Sequence, residues 1–134
     1  MTRTETSKEP DHEVVIVGLG PTGATLANIL GGYGIDVLVL EREEAVYPLP
    51  RAVHFDDEAM RVFQSIGLSE GIGRDARVNV GTKFVDRDQN LLLDWPRPQE
   101  IGPLGWYPSY RFHQPDLEAE LNRGIGDCKM VTLR

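Results

Sequence analysis

Six consecutive residues, Gly18-Leu19-Gly20-Pro21-Thr22-Gly23, space three glycines in a pattern suited to gripping a diphosphate. Without a side chain, Gly18 permits a tight turn out of an extended strand, and Gly20 lets backbone N–H groups approach a pyrophosphate with no Cβ in the way. Gly23 lets a following helix lie close against the strand. A helix opening here aims free N–H groups and roughly half a positive charge at the same anion. Pro21 suits the first turn, where its missing N–H would have had no intrahelical partner. Glu41 lies roughly two dozen positions after Gly18, near the spacing at which an acid accepts from the hydroxyls of a ribose. A carboxylate there also repels a 2′-phosphate, so the adenosine expected is that of FAD or NAD rather than NADP.

Such a site needs a strand before the glycines, a helix after them and a second strand ending at the acid. Glu13-Val14-Val15-Ile16-Val17 is β-branched and continuously apolar, as a strand buried on both faces of a parallel sheet would be. From Pro21 to about Gly31, Ala24, Leu26, Ala27, Ile29 and Leu30 support a helix, which Gly31, Gly32 and Gly34 are expected to stop. Asp36-Val37-Leu38-Val39-Leu40 is the second buried strand, completing a βαβ unit. Further on, Asp56, Asp57 and Glu58 open a helix whose Met60, Phe63 and Ile66 form a core stripe and which Gly67 closes. Thr82 to Trp95 has the pattern of a hairpin turning at Asp88-Gln89-Asn90, and Pro96 to Pro108 that of a long loop. A helix starts at Gln114-Pro115-Asp116 and carries Leu117 and Leu121, and Met130-Val131-Thr132-Leu133 begins another strand. Residues 1–11, polar and without apolar period, are expected to be a flexible leader, with residues 12–134 forming one domain.

The bulk properties narrow the function. A formal net charge of -7 argues against nucleic acid, whose phosphates are bound by clustered Lys and Arg. No stretch has the length and apolarity of a membrane helix or signal peptide, and the single cysteine cannot form an internal disulfide, so a cytoplasmic location is expected. Cys128 has no His beside it in sequence and reads as a turn or core residue. His12, His54 and His113 form no acid–base constellation, and no Cys/His cluster has metal-ligand spacing, so catalytic residues stay unassigned and no metal is implied. By itself the glycine motif leaves FAD and NAD open, and with them a dehydrogenase of other chemistry or a non-catalytic nucleotide-binding module.

The segment from Val14 to Gly23, with Glu41-Arg42 ending the second strand, resembles the opening of class A flavoprotein monooxygenases, which are single-component FAD-dependent aromatic-ring hydroxylases. Pro50-Arg51-Ala52 before a helix, the helix ending Ser65-Ile66-Gly67-Leu68, and the run from Arg111 to Glu118 match the same family outside the nucleotide motif. Arg51 to Ala59 and Tyr107 to Phe112 are most similar to its 3-(3-hydroxyphenyl)propionate hydroxylases.

The resemblance implies an α/β, Rossmann-like FAD-binding domain with a β-hairpin insertion. It further implies reduction of FAD by NADH or NADPH, and transfer of oxygen from O₂ to a phenolic substrate through a flavin hydroperoxide. It places Gly18, Gly20 and Gly23, with Pro21 and Thr22 between them, on the pyrophosphate, Glu41 on the adenosine ribose and Arg42 beside the adenine. Arg51 would reach the flavin phosphates, as paired guanidinium donors suit, and Gln114 the ribityl and phosphate region, with a helix cap as its competing role. Arg111 is a further candidate for the cofactor, or else a structural partner. The family's later Asp-Gly and Gly-Asp motifs and most of its substrate domain lie outside this sequence. The chain is therefore expected to be an amino-terminal portion that binds FAD weakly or not at all and hydroxylates nothing alone; oligomeric state is left open.

Overall fold

The computed structural model describes residues 11–134, so the expected leader lies outside the described residues except for Asp11. Strand β1 (Val14–Val17), helix α1 (Pro21–Gly32) and strand β2 (Val37–Leu40) follow in order, and β8 (Val131–Leu133) adds a third strand beside β2. All three run parallel, in the order β1-β2-β8, with Ile16 opposite Val39 and Val37 opposite Val131. Their carboxyl ends are stitched further by Gly18 N–H donating to Leu40 O at 2.8 Å and Glu41 N–H to Arg134 O at 2.9 Å. Parallel pairing thus brings the glycine turn, the acid after β2 and the end of β8 to one rim.

Among the described residues only one face of this sheet is buried, although the apolar runs have the pattern of strands covered on both sides. Ile16, Val37 and Val39 point into the core against α1, whereas Val15 and Val17 are 54% and 84% exposed. The apolar run signals burial but not how many faces are covered, and among the described residues nothing packs on the second face. Helix α1 ends among the glycines expected to stop it, with Gly31 still inside it and buried, where a Cβ would stand 2.6 Å from Cys128 Sγ and 2.8 Å from Val131 Cγ2. Gly31 therefore serves close packing, and the chain turns at Gly34, whose φ of +78° favours glycine.

Helix α4 (Gln114–Gly126) packs on α1. Buried Asn28 joins them, its Nδ2 donating to Ala24 O at 2.8 Å within α1 and to Leu121 O at 2.9 Å across the contact. Leu117, Leu121 and Ile125, at i, i+4 and i+8, put the apolar stripe of α4 into the core.

Between β2 and α4 the chain builds a second sheet that sequence periodicity does not reveal. Strands β3 (His54–Asp56), β4 (Arg77–Val78) and β7 (Ser109–Arg111) pair antiparallel in the order β3-β7-β4. Asp56 ends β3 and caps α2 (Asp57–Ser65), accepting from Ala59 N–H at 2.9 Å, and a short α3 (Ser69–Asp75) follows. Phe55 fixes the sheet to α2: its ring lies 5.5 Å edge-on from Phe63 and 5.2 Å, stacked, from Tyr110. Strands β5 (Gly81–Val85) and β6 (Leu91–Pro96) pair antiparallel around a turn in which Asp86 Oδ1 accepts from the N–H groups of Asp88 and Asn90. The hairpin stands out from the body, with Phe84, Leu93 and Trp95 about half exposed.

Candidate dinucleotide site

A cleft of about 1190 Å³ opens at the carboxyl rim of the parallel sheet. Gly18, Leu19 and Gly20 form one wall, Glu41 and Arg42 another, and Arg51 reaches it from the loop before β3. Gly18 adopts φ +98°, which an L side chain tolerates poorly, and turns the chain out of β1. Gly20 is the N-cap of α1, and no side chain caps that helix start, so its first N–H groups are left for a ligand. A Cβ on Gly20 would meet nothing within 4 Å; one on Gly23 would run into the carbonyl of Gly18. The two glycines therefore do different work, one keeping space for a guest and the other closing the turn against the helix. Pro21 and Thr22 begin α1 beside the cleft but do not line it.

Glu41 is tied directly to the glycine turn. Its Oε2 accepts from Leu19 N–H at 2.6 Å and its Oε1 from Glu43 N–H at 3.0 Å. These bonds, that from Leu19 first, hold its carboxyl below the ordinary Glu range. A depressed carboxyl contributes stability above its unfolded pKa and loses it as pH falls through the folded value. Acidification into that range is expected to release the Leu19 amide, seen as a pH-dependent shift of its NMR resonance that Glu41→Gln abolishes. An invariant Leu19 resonance in the parent chain would show that the bond does not form in solution.

Arg42 lines the cleft with an exposed guanidinium that pairs with Glu43 at 3.0 Å. Arg51 sits over the ring of Tyr47 at 5.5 Å, and its backbone is fixed by Gln114. The Oε1 of buried Gln114 accepts from Arg51 N–H and Ala52 N–H, both at 2.8 Å, while its Nε2 donates to Glu118 at 2.6 Å. Gln114 thus clamps the Arg51 loop to α4 rather than capping its own helix.

Of the two roles open to Arg111, the structural one is seen, and the residue does not line the cleft. Its guanidinium donates to Asn79 Oδ1 and Gly81 O, both at 3.0 Å, and so ties β7 to the base of the hairpin. Arg111 lies on strand β7 and Gln114 on the helix after it, so the two side chains serve different parts of the fold. His54 donates to or accepts from buried Ser109 Oγ at 2.7 Å, a structural contact. Residues given no role from the sequence also line the cleft, among them Tyr47, Glu118, Asn122 and Arg134. The signal for Glu118 and Asn122 was present as their i+4 and i+8 spacing from Gln114, a polar stripe beside the apolar one.

Comparison with known proteins agrees with this geometry. The family described as FAD binding domain matches residues 11–129. A protein of Rhodococcus jostii named "Probable NADH-specific resorcinol 4-hydroxylase" is 43% identical over 91% of this chain and 23% of its own length. A 3-(3-hydroxy-phenyl)propionate/3-hydroxycinnamic acid hydroxylase of Mycolicibacterium smegmatis is 43% identical over 84% of this chain and 20% of its own. The chain thus spans about a fifth of the length of these curated relatives. Among solved structures, the p-nitrophenol 4-monooxygenase of Pseudomonas putida superposes with a TM-score of 0.80 at 25% identity, over 90% of this chain and 31% of that one. With a family match over nearly every described residue, and with relatives named as aromatic hydroxylases, the chain belongs to the FAD binding domain family of flavoprotein monooxygenases.

Proposed function

We propose that this chain forms the adenosine- and diphosphate-binding part of the FAD site of an aromatic-ring hydroxylase driven by NADH or NADPH, with a phenolic substrate and O₂. The observation that carries the reading is the bond from Leu19 N–H to Glu41, which holds the acid and the glycine turn on one rim of the same cleft. The cleft fits the group: Gly20 leaves room for close backbone approach, α1 presents an uncapped amino end, and Arg42 and Arg51 supply positive charge.

When bound, FAD supplies the electron transfer and oxygen chemistry of such an enzyme. The residues of this chain bind and orient it. Gly18, Gly20 and Gly23, with Pro21 and Thr22, shape the turn and helix start that receive the diphosphate; Glu41 accepts from the ribose hydroxyls. Arg42 flanks the adenine, and Arg51 donates to phosphate oxygens from a loop that Gln114 holds in place. Resemblance to 3-(3-hydroxyphenyl)propionate hydroxylases makes a phenol carrying an acidic side chain the favoured substrate class, and the resorcinol hydroxylase makes a simple dihydroxybenzene the second.

The test is a titration of the chain with ADP, FAD and 2′,5′-ADP followed by backbone NMR. ADP and FAD are expected to shift the amides of Gly18, Leu19 and Gly20. Glu41→Ala should weaken both by roughly tenfold, the loss of a hydrogen bond to a charged group, and 2′,5′-ADP should bind more weakly than ADP. Amides unmoved by millimolar ADP and FAD, both in this chain and in one extended to the relatives' length, would sink the proposal.

A further inference from the structure

Helix α4 carries two stripes at the same spacing. Leu117, Leu121 and Ile125 enter the core, and Gln114, Glu118 and Asn122 form a polar stripe beside them. The first two polar members are accounted for, since Glu118 orients Gln114 and Gln114 holds the Arg51 loop. Asn122 is not. Its Oδ1 is buried and has no hydrogen-bond partner among the described residues, although the residue lines the cleft together with Gly18, Gly20 and Glu41.

A buried acceptor left unpaired destabilises a fold, whereas a leucine of similar size at the same place carries no such cost. An orphan on the wall of a ligand cleft is therefore explained by a donor that arrives with the ligand. The terminal torsion of asparagine is broad, which lets the carboxamide reorient to meet such a donor. The donors a dinucleotide offers from its sugars are hydroxyl groups. We infer that Asn122 is a cofactor-binding residue outside the glycine motif, whose Oδ1 accepts a hydrogen bond from a sugar hydroxyl of the bound dinucleotide. The inference rests on the reading of the cleft given above.

Asn122→Leu tests it through two quantities that move in opposite directions. Removal of an unsatisfied acceptor should raise the melting temperature of the ligand-free chain by a few degrees. The same change should weaken ligand binding by roughly threefold to tenfold. A purely structural asparagine would give a lower melting temperature and unchanged affinity, and that result would overturn the inference. ADP and FAD serve as the two probes: weakening with both assigns the hydroxyl to the adenosine ribose, and weakening with FAD alone assigns it to the ribityl chain. The side-chain amide resonance of Asn122, identified by its loss in the variant, should shift on ligand addition. Shifts at Gly18 and Gly20 without one at Asn122 would overturn this inference and leave the cleft reading standing, whereas shifts nowhere would overturn both.

Discussion

Gly23→Ala is expected to destabilise the chain by about 3 kcal/mol, the upper part of the usual overpacking range, while Gly20→Ala leaves the fold as stable as before. The methyl added at position 23 would collide with the carbonyl of Gly18, and the next atom behind it is the Gly18 carbonyl carbon. Neither belongs to a flexible side chain, so relief requires moving α1 away from β1 or reshaping the turn. Both movements open the packing of Ala24 and Ala27, which are fully buried. At position 20 the methyl meets nothing within 4 Å, and φ −68° with ψ −178° is open to any L residue. Restricting the unfolded chain there stabilises, if anything, by about 0.4–1 kcal/mol. Binding should respond differently: under the proposed function Gly20→Ala puts a methyl where backbone and diphosphate approach closely, so ADP affinity is expected to fall although urea unfolding is unchanged. Equal midpoints for the two variants would show that the turn and helix are not packed as described.

This contrast shows how far the sequence could be read. The glycine spacing was readable because turn, helix start and strand lie within one local stretch, and β1, α1 and β2 fall where the apolar runs place them. What it left open was decided by contacts distant in sequence. Gly31 looks like a stop signal, yet it is the approach of Cys128 and Val131 from the far end of the chain that requires a glycine there. The sheet of β3, β4 and β7 escaped because strands of two or three residues carry no readable period, and Phe55, Phe63 and Tyr110 are brought together only by tertiary packing. The apolar run of β1 likewise does not say how many of its faces are covered within this chain, where Val15 and Val17 are exposed. Within the cleft, Glu41 was legible by its distance from the glycines, whereas Asn122 and Arg134 required knowing which face of α4 and which end of β8 turn to that rim.

The second large effect is expected at Gln114. Gln114→Leu keeps the volume of a buried side chain but deprives Arg51 N–H, Ala52 N–H and Glu118 of their partner at one stroke. Unpaired donors and a carboxylate already buried to 5% exposure together cost about 3 kcal/mol. The loss should concentrate in the loop carrying Arg51: the Arg51 and Ala52 amides are expected to exchange with solvent at least roughly tenfold faster, while Phe55 keeps β3 on the core. Gln114→Glu separates the hydrogen bonds from the charge. Its carboxylate still accepts from both amides, but it faces the carboxylate of Glu118, and two acids at that distance raise the pKa of one of them. A raised carboxyl contributes stability below its folded pKa and loses it as pH rises through that value. Gln114→Glu should therefore approach the parent chain in melting temperature at mildly acidic pH and fall behind it at neutral pH, whereas Gln114→Leu should show no such recovery. A Gln114→Glu variant that trails the parent chain equally at both pH values would mean that residues 114 and 118 do not meet in solution, and the anchoring of Arg51 through α4 would have to be abandoned.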